Sequence, residues 1–190
     1  MFHDDVLAAL ESWRGSVAPA DPDASYTLDD YVRLVREGGE AALWKGLAER
    51  HVTSSLFVFC PDLSEILLDF HKKAGMWLQF GGHLERADES LPAAALREGT
   101  EESGLAGFVA FSDAPSDIDV HVLGGGFSVC REHWDVGFVA IADRDAVVQV
   151  SDESERLGWF PVDDLPDGGA GNMYPRVQAA LRHAREVFAR

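Results

Sequence analysis

One predicted helix, which ends before Gly104, carries a face that begins apolar and becomes acidic. Counting back from Leu105 at helical spacing, this face carries a leucine, two alanines and three glutamates, Glu98, Glu101 and Glu102. Like charges on adjacent turns repel, and they lose hydration where a face packs against protein. A hard divalent cation with oxygen ligands is the simplest partner for such a face. The other interpretation is a face open to solvent, as most acidic clusters are.

The segment before this helix is an apolar run that ends in two glycines, Gly81 and Gly82. A short polar loop follows, in which Ser90 or Asp88 can cap the helix, while Gly104 is suited to its C-terminal end. Because glycine has no Cβ, the glycine pair lets a backbone carbonyl approach a ligand closely. The predicted order is strand, glycine loop, acidic helix and terminating glycine.

This order resembles the signature of the Nudix hydrolases: Gly, five residues, Glu, seven residues, then Arg-Glu-apolar-x-Glu-Glu-x-Gly-apolar. The matching positions are Gly82, Glu89, Arg97, Glu98, Glu101, Glu102, Gly104 and Leu105. The six specified residues of the second half make a chance match about 10⁻⁷ or less per start position. The likeness, which includes a Trp-Leu-Gln-x-Gly-Gly-His lead into the signature, covers roughly residues 50–165.

The chain departs from the signature at two points. Six residues rather than five separate Gly82 from Glu89, so Asp88 keeps the standard distance and could take the role of Glu89. Gly99 stands at the apolar position, where it weakens a helix by roughly 1 kcal/mol relative to alanine. Neither departure affects the three glutamates.

The resemblance implies an α/β fold, a Nudix-type α/β/α sandwich with a mixed sheet, and an activity. The implied reaction is divalent-metal-dependent hydrolysis of a pyrophosphate bond in a nucleoside diphosphate linked to another moiety. The implied ligands of Mg²⁺ or Mn²⁺ are Glu98, Glu101, Glu102 and a carbonyl of the glycine pair, with Gly82 the preferred donor. Arg97 would orient the glutamates, since Glu101 lies one helical turn away.

The general base and the substrate contacts are less defined. Either Glu98 or a loop glutamate would serve as base, and Glu153 and Glu155 precede the last core strand, where some Nudix enzymes carry an extra catalytic glutamate. Solvated loop charges are the alternative for that pair. Glu89 and Trp159 are further candidates for contact with substrate, Trp159 as a wall of the pocket.

Two other functions remain open at this point. One is a non-catalytic Nudix module that binds a nucleotide, a kind of protein that usually lacks the signature carboxylates. The other is an isomerase of isoprenoid diphosphates, which would need Cys60 or Cys130 to face the acidic helix. Either cysteine is otherwise expected to be a small core residue.

Composition limits which binding partners and which cellular compartment are expected. With 190 residues, 46% of them apolar, the chain fits one domain, which we divide into a helical extension over residues 1–50 and a hydrolase domain over 51–190. A net charge of −17 argues against nucleic-acid polymers and anionic membranes, but not against small nucleotides. Two cysteines and an acidic N-terminus favour a cytoplasmic protein. The N-terminal helices could support a homodimer.

Hydrophobic periodicity predicts the remaining elements. Helices are expected at 2–13, from Thr27 to 38, at 41–50 and from 172 or 174 to 189, with a linker at 15–25. Strands are expected at 53–59, 65–70, 76–80, 108–111, 117–122, 135–142 and 157–162, with a glycine turn at 124–126.

Five of the seven histidines fall in the predicted core. They are His51, His71, His83, His121 and His133. The pairs Asp119-x-His121 and His133-x-Asp135 have strand spacing, so each pair points to one face of a sheet. These four residues could form a second metal or phosphate site. Scattered polar residues on exposed strands are the alternative.

Overall fold

The computed structural model describes residues 2–124 and 129–188. This part of the chain contains four α-helices and seven β-strands. The helices are α1 (Phe2–Ser12), α2 (Leu28–Gly38), α3 (Leu91–Ser103) and α4 (Met173–Phe188). The strands are β1 (Arg50–Phe59), β2 (Glu65–His71), β3 (Met76–Leu78), β4 (Phe80–His83), β5 (Ala110–Val122), β6 (Glu132–Ile141) and β7 (Ser154–Pro161).

The strands form one mixed sheet built around β1. Its main path runs β3-β2-β1-β6-β5, with β4 paired to β1 and β7 paired to β2. The β1–β6 pairing is parallel and the other pairings are antiparallel. Nine of the ten residues of β1 are buried, as expected for a central strand covered on both faces.

Helices cover both faces of the sheet. On one face, residues of α1, α2 and α3 share a core with alternate residues of β1, among them Leu56 and Val58. On the other face, α4 packs through Val177 and Leu181 against Phe57 and its neighbours. The arrangement is therefore an α/β/α sandwich with a mixed sheet and N-terminal helices, which confirms the expected fold class.

The N-terminal extension belongs to the main core. Leu10 of α1 and Tyr31 of α2 are fully buried in the same cluster as Leu56. The predicted capping box begins α2, where the Asp30 carboxylate accepts hydrogen bonds from the Thr27 N–H at 2.8 Å and its hydroxyl at 3.0 Å. Because these helices share their core with the sheet, the boundary proposed at residue 50 marks an extension and not a separate core.

The predicted helix over 41–50 is wrong. A short 3₁₀ helix, Gly39–Ala42, ends first, and Gly46 then adopts a left-handed conformation with φ of +85° that a continuing helix does not tolerate. Strand β1 already begins at Arg50. The predicted strand 117–122 and the second half of the predicted strand 108–111 belong to the single strand β5, which begins at Ala110 and has an irregularity between Ser112 and Asp117.

The predicted strand 76–80 is two short strands with different partners. Strand β3 pairs with β2, and β4 crosses to pair with β1 through Gly81 opposite Ser55 and Gly82 opposite Ser54. This change of partner brings the glycine pair to the middle of the sheet, where α3 packs. The predicted glycine turn at 124–126 lies partly outside the described residues. Within the described ranges, no helix is long and apolar enough to cross a bilayer.

Candidate active site

Helix α3 has the ends that the sequence predicts. The Ser90 hydroxyl accepts a hydrogen bond from the Ala93 N–H at 3.2 Å, and Pro92 occupies the first turn. Gly104 adopts the left-handed conformation at φ of +66°, and its N–H donates to the Thr100 carbonyl at 2.9 Å. These caps fix which residues of the helix face the sheet.

Glu102 is a buried carboxylate in contact with the glycine loop. Glu102 as a whole is 6% exposed to solvent, and its Oε2 accepts a hydrogen bond from the Gly81 N–H at 2.9 Å. Burial raises the pKa of Glu102 to about 8, and the neighbouring Glu98 adds to the shift. Among the described residues, no lysine or arginine forms a salt bridge with Glu102. A cation at this position would relieve the cost of burying its charge.

Glu98 lies beside Glu102 and against the second glycine. Its side chain is 14% exposed, and burial raises its pKa. A Cβ added at Gly82 would lie 2.6 Å from Glu98 Oε1, so only glycine leaves room for the carboxylate. Gly81 has a φ of +154°, and a Cβ there would lie 2.5 Å from Ser55 Oγ. The glycine pair therefore lies directly against both acidic side chains.

Glu101 occupies a different position from the other two glutamates. Its side chain is 59% exposed, while Glu98 and Glu102 are mostly covered. A spacing of four residues keeps Glu98 and Glu102 on one helix face, and Glu101 is rotated about 100° from Glu102. The sequence pattern grouped three glutamates on a packed face, but only two of them are covered.

Arg97 joins the helix to the preceding loop. Its guanidinium donates to Glu98 at 3.0 Å, to Glu101 at 3.2 Å and to the backbone carbonyl of His83 at 2.9 Å. It also forms a two-point contact with Asp88, at 2.8 and 3.1 Å. The hydrogen bond to Asp88 is the largest cause of the raised pKa of Arg97. Arg97 thus contacts both Glu98 and Glu101, the glutamates that it is predicted to orient.

Asp88, in the loop that is one residue longer than in the signature, is the acidic residue that contacts Arg97. The Asp88 side chain is 4% exposed and paired with Arg97, and Glu89 beside it is exposed to solvent. Asp88 is the residue at the standard distance from Gly82. It therefore occupies the loop position of the acidic residue, although aspartate is shorter than the glutamate of the signature.

A second group of side chains approaches Glu102 from the neighbouring strands. Ligand atoms of His71, Glu102 and Glu153 all lie within 4.8 Å of one another, and His71 Nε2 is 3.8 Å from Glu153 Oε2. Asp69 is buried on the same strand as His71, and its Oδ1 has no hydrogen-bond partner within the described residues. Burial raises the pKa of Asp69. The sequence pattern indicated Glu153 but not Asp69.

The other substrate candidates lie near the end of the sheet. Trp159 is on β7, opposite Leu67 of β2, and is partly buried against the same core as α3. The next residue, Phe160, packs on the other face, with its ring centroid 4.7 Å from that of Trp77. Glu155 is exposed on β7. Of these two aromatic residues, Trp159 is therefore the one on the face of the sheet that carries the acidic helix.

The four residues Asp119, His121, His133 and Asp135 are neighbours, and the His121 and His133 ring centroids lie 5.3 Å apart. Asp119 lies opposite Asp135, and His121 lies opposite His133. Both aspartates form ion pairs with the buried Arg176. Its guanidinium donates to Asp135 at 2.8 Å, and its Nη1 lies 3.9 Å from Asp119. His121 contacts Asp119 at 3.0 Å. His133 instead joins a different histidine cluster.

The donor set beside α3 suits Mg²⁺ or Mn²⁺. Two covered carboxylates, Glu98 and Glu102, supply hard oxygen ligands, and both have raised pKa values that a divalent cation would offset. The glycine pair leaves space for a carbonyl ligand, because a side chain at Gly82 would fill it. An α/β/α sandwich with an acidic helix against a glycine loop is the architecture of the class of protein that the signature implies, a pyrophosphohydrolase.

The chain belongs to the Nudix family. The NUDIX domain matches residues 50–183, which is more than half of the sequence. The protein is thus a Nudix hydrolase, a member of a pyrophosphohydrolase family whose members generally use a divalent metal. No curated protein matches the chain.

Solved structures of Nudix proteins have the same fold. A NUDIX-family hydrolase from Clostridium perfringens is 26% identical, covers 70% of this chain and 97% of its own, and superposes with a TM-score of 0.56. A MutT NUDIX hydrolase from Burkholderia pseudomallei is 25% identical over 67% of this chain and 95% of its own, with a TM-score of 0.52. An Ap4A hydrolase from C. elegans, at 16% identity, 71% and 98% coverage and a TM-score of 0.57, shares the fold.

Proposed function

We propose that the protein hydrolyses a pyrophosphate bond in a nucleoside diphosphate linked to another moiety, with Mg²⁺ or Mn²⁺ at the acidic helix. The observation that carries the proposal is the pair Glu98 and Glu102, covered by protein, in contact with the glycine loop and without a salt bridge from Glu102 to any described lysine or arginine. Such a pair is costly in a protein that binds no cation there. Buried carboxylates of this kind are typical of metal sites.

Residues of three elements have distinct roles in this proposal. Glu98, Glu102 and the Gly82 carbonyl would hold the ion, and the exposed carboxylate of Glu101 would be a further ligand. A bound divalent cation neutralises phosphate charge and makes hydroxide available from water. Arg97 fixes the carboxylates by its contacts with Glu98 and Glu101. The oxygen ligands are therefore held in fixed positions before the substrate binds.

We assign the general base to Glu153 in preference to Glu98. Glu153 extends from the loop before β7 toward His71 and Glu102, and its side chain is 74% exposed, so it can reach a water molecule and return to solvent. Glu98 is already engaged by Arg97. Trp159 supplies an aromatic wall on the same side of the sheet, suited to stacking with a base. Direct contact of Glu89 with substrate remains a prediction.

The contacts of the two cysteines favour hydrolysis over isomerisation. Cys60 contacts Asp62 at 2.9 Å, and Cys130 lies 4.0 Å from His83. Neither contact involves the acidic helix, where an isomerase would need its cysteine. Since the two buried cysteines are unpaired, we further propose that the protein works in the cytoplasm.

A panel of substrates tests the proposal. Nucleoside triphosphates, dinucleotides, nucleotide sugars and non-nucleotide pyrophosphates are incubated with Mg²⁺, with Mn²⁺ or with chelator, and released phosphate or pyrophosphate is measured. We expect metal-dependent turnover of at least one class. Glu102→Gln and Glu98→Gln should each lower kcat by more than about 100-fold, because both remove a charged ligand.

The matched control is Glu186→Gln, the same change at an exposed position of α4, which should retain full activity. Circular dichroism checks that all three variants fold. Near-normal turnover of both Glu98→Gln and Glu102→Gln would contradict the assignment of the site. Tight nucleotide binding without turnover would instead indicate a binding module.

A further inference from the structure

A cluster of three histidines and one cysteine lies apart from the acidic helix. His51, His83, Cys130 and His133 each contribute one ligand atom to a group in which all these atoms lie within 4.8 Å of one another. The ring centroids of the three histidines are 4.8 to 5.0 Å apart in every pair. Cys130 Sγ lies 4.0 Å from His83 Nε2. Four potential ligands thus converge from three strands and the segment before β6.

The sheet register brings these residues together on one face. His51 of β1 lies opposite His133 of β6, and Thr53 of β1 lies opposite His83 of β4. Residues two apart on a strand point to the same face, so His51, His83 and His133 share a face. The Cβ position of Gly82 points to Glu98, and therefore the next residue, His83, points to the opposite face of the sheet. The cluster and the carboxylate site are separate.

The histidines have buried nitrogen atoms without hydrogen-bond partners. His51 is 0% exposed, and within the described residues neither of its ring nitrogens makes a hydrogen bond; the same holds for His133 Nε2. An unpaired buried polar group is costly, on the order of 1–3 kcal/mol. One ion can take a single nitrogen from each ring, so a bound metal would give a partner to one nitrogen of His51 and to Nε2 of His133.

The cluster is suited to a metal and not to an anion. The three imidazole rings pack with centroids 4.8 to 5.0 Å apart, so protonation of more than one of them would place like charges in contact. Neutral imidazole is the form that coordinates metal, whereas a phosphate would require the charged form.

We propose that His51, His83, Cys130 and His133 bind one zinc ion, in a closed four-ligand site on the face of the sheet opposite the acidic helix. A cysteine with three histidines is a tetrahedral donor set of borderline softness, which selects zinc over Mg²⁺. Zn–N bonds of about 2.0–2.1 Å and a Zn–S bond of about 2.3 Å require the side chains to close by roughly an ångström.

Such an ion would hold the strands beside the glycine loop. It joins the start of β1, the end of β4 and the start of β6. The backbone carbonyl of His83 accepts the hydrogen bond from Arg97, and Gly82 precedes it in the loop. Zinc therefore has a structural role with a consequence for the carboxylate site, because it fixes the backbone on which Arg97 and Gly82 rely.

The first test is the metal content of the whole protein. Protein purified without chelator from zinc-containing medium should hold about one zinc per chain. Cys130→Ser and His133→Asn should lose it, whereas Cys60→Ser, which removes the other buried cysteine, should retain it. Glu102→Gln should also retain zinc, so that failure of the hydrolase assignment is distinguishable from failure of this one. Wild-type protein without zinc would overturn the proposal.

The second test needs no variant that might fail to fold. Removal of zinc from the wild-type protein by chelator should lower Tm by roughly 5–15 °C, and Zn²⁺ but not Mg²⁺ should restore it. Co²⁺ added to the apoprotein should give the visible spectrum of a tetrahedral site with a thiolate charge-transfer band, absent in Cys130→Ser. Stabilisation by inorganic phosphate in place of Zn²⁺, or no Co²⁺ spectrum, would contradict the zinc site.

Discussion

At the scale of single residues, the glycine pair leaves the space that the Glu98 carboxylate occupies beside the loop. We predict that Gly82→Ala lowers Mg²⁺-dependent turnover by more than about 100-fold with a stability change under about 1 kcal/mol. The reason is that a Cβ at this position would lie 2.6 Å from Glu98 Oε1, at the end of a side chain that can rotate away. Steady-state kinetics and urea unfolding measure the two effects.

The matched control is Gly107→Ala. A Cβ at Gly107 would meet no atom within 4 Å, so this variant should keep both turnover and stability. If Gly82→Ala were as active as Gly107→Ala, the contact between the glycine loop and Glu98 would not matter for the reaction. If it were unfolded, the glycine would serve the fold and not the site.

At the scale of the element, helix α3 is held by Asp88, which stands at the signature's distance from Gly82, while Glu89 stands at its distance from Arg97. Asp88 makes a two-point contact with Arg97, whereas Glu89 is exposed. We predict that Asp88→Asn lowers turnover by roughly 10–100-fold, as removal of an outer-shell partner of a metal site typically does. Glu89→Gln should change it little. The reverse order of the two effects, measured by kcat, would assign the role to Glu89 as the signature alone suggests.

The same helix marks the limit of what sequence could establish. Its ends depend on local chemistry: Gly104 ends the helix as predicted, and of the two candidates for the N-cap, Ser90 and Asp88, the cap is Ser90. The exposure of Glu101 follows from its position around the helix, whereas the histidine cluster depends on how distant strands align. His51 and His133 meet only because β1 and β6 pair in parallel, across more than seventy residues of chain. The spacing Cys130-x-x-His133 was the one local signal of that cluster.

At the scale of the whole molecule, a buried charge network fastens α4 to the sheet. Arg176 is 2% exposed and donates to Asp117 at 2.6 Å and to Asp135 at 2.8 Å. Asp135 also accepts a hydrogen bond from Thr53 of β1 at 2.8 Å. The network thus connects α4, β5, β6 and β1, on the face of the sheet that also carries the histidine cluster.

Removal of this arginine would take its charge away from three buried carboxylates, Asp117, Asp119 and Asp135. We predict that Arg176→Met lowers the free energy of unfolding by about 3–5 kcal/mol, since an uncompensated buried charge costs that much. Arg182→Met, the same change at an exposed position of the same helix, should stay within about 0.5 kcal/mol of wild type. Urea unfolding followed by circular dichroism compares the two variants. Equal stability would mean that apolar packing of Val177 and Leu181, and not the charge network, holds α4 on the sheet.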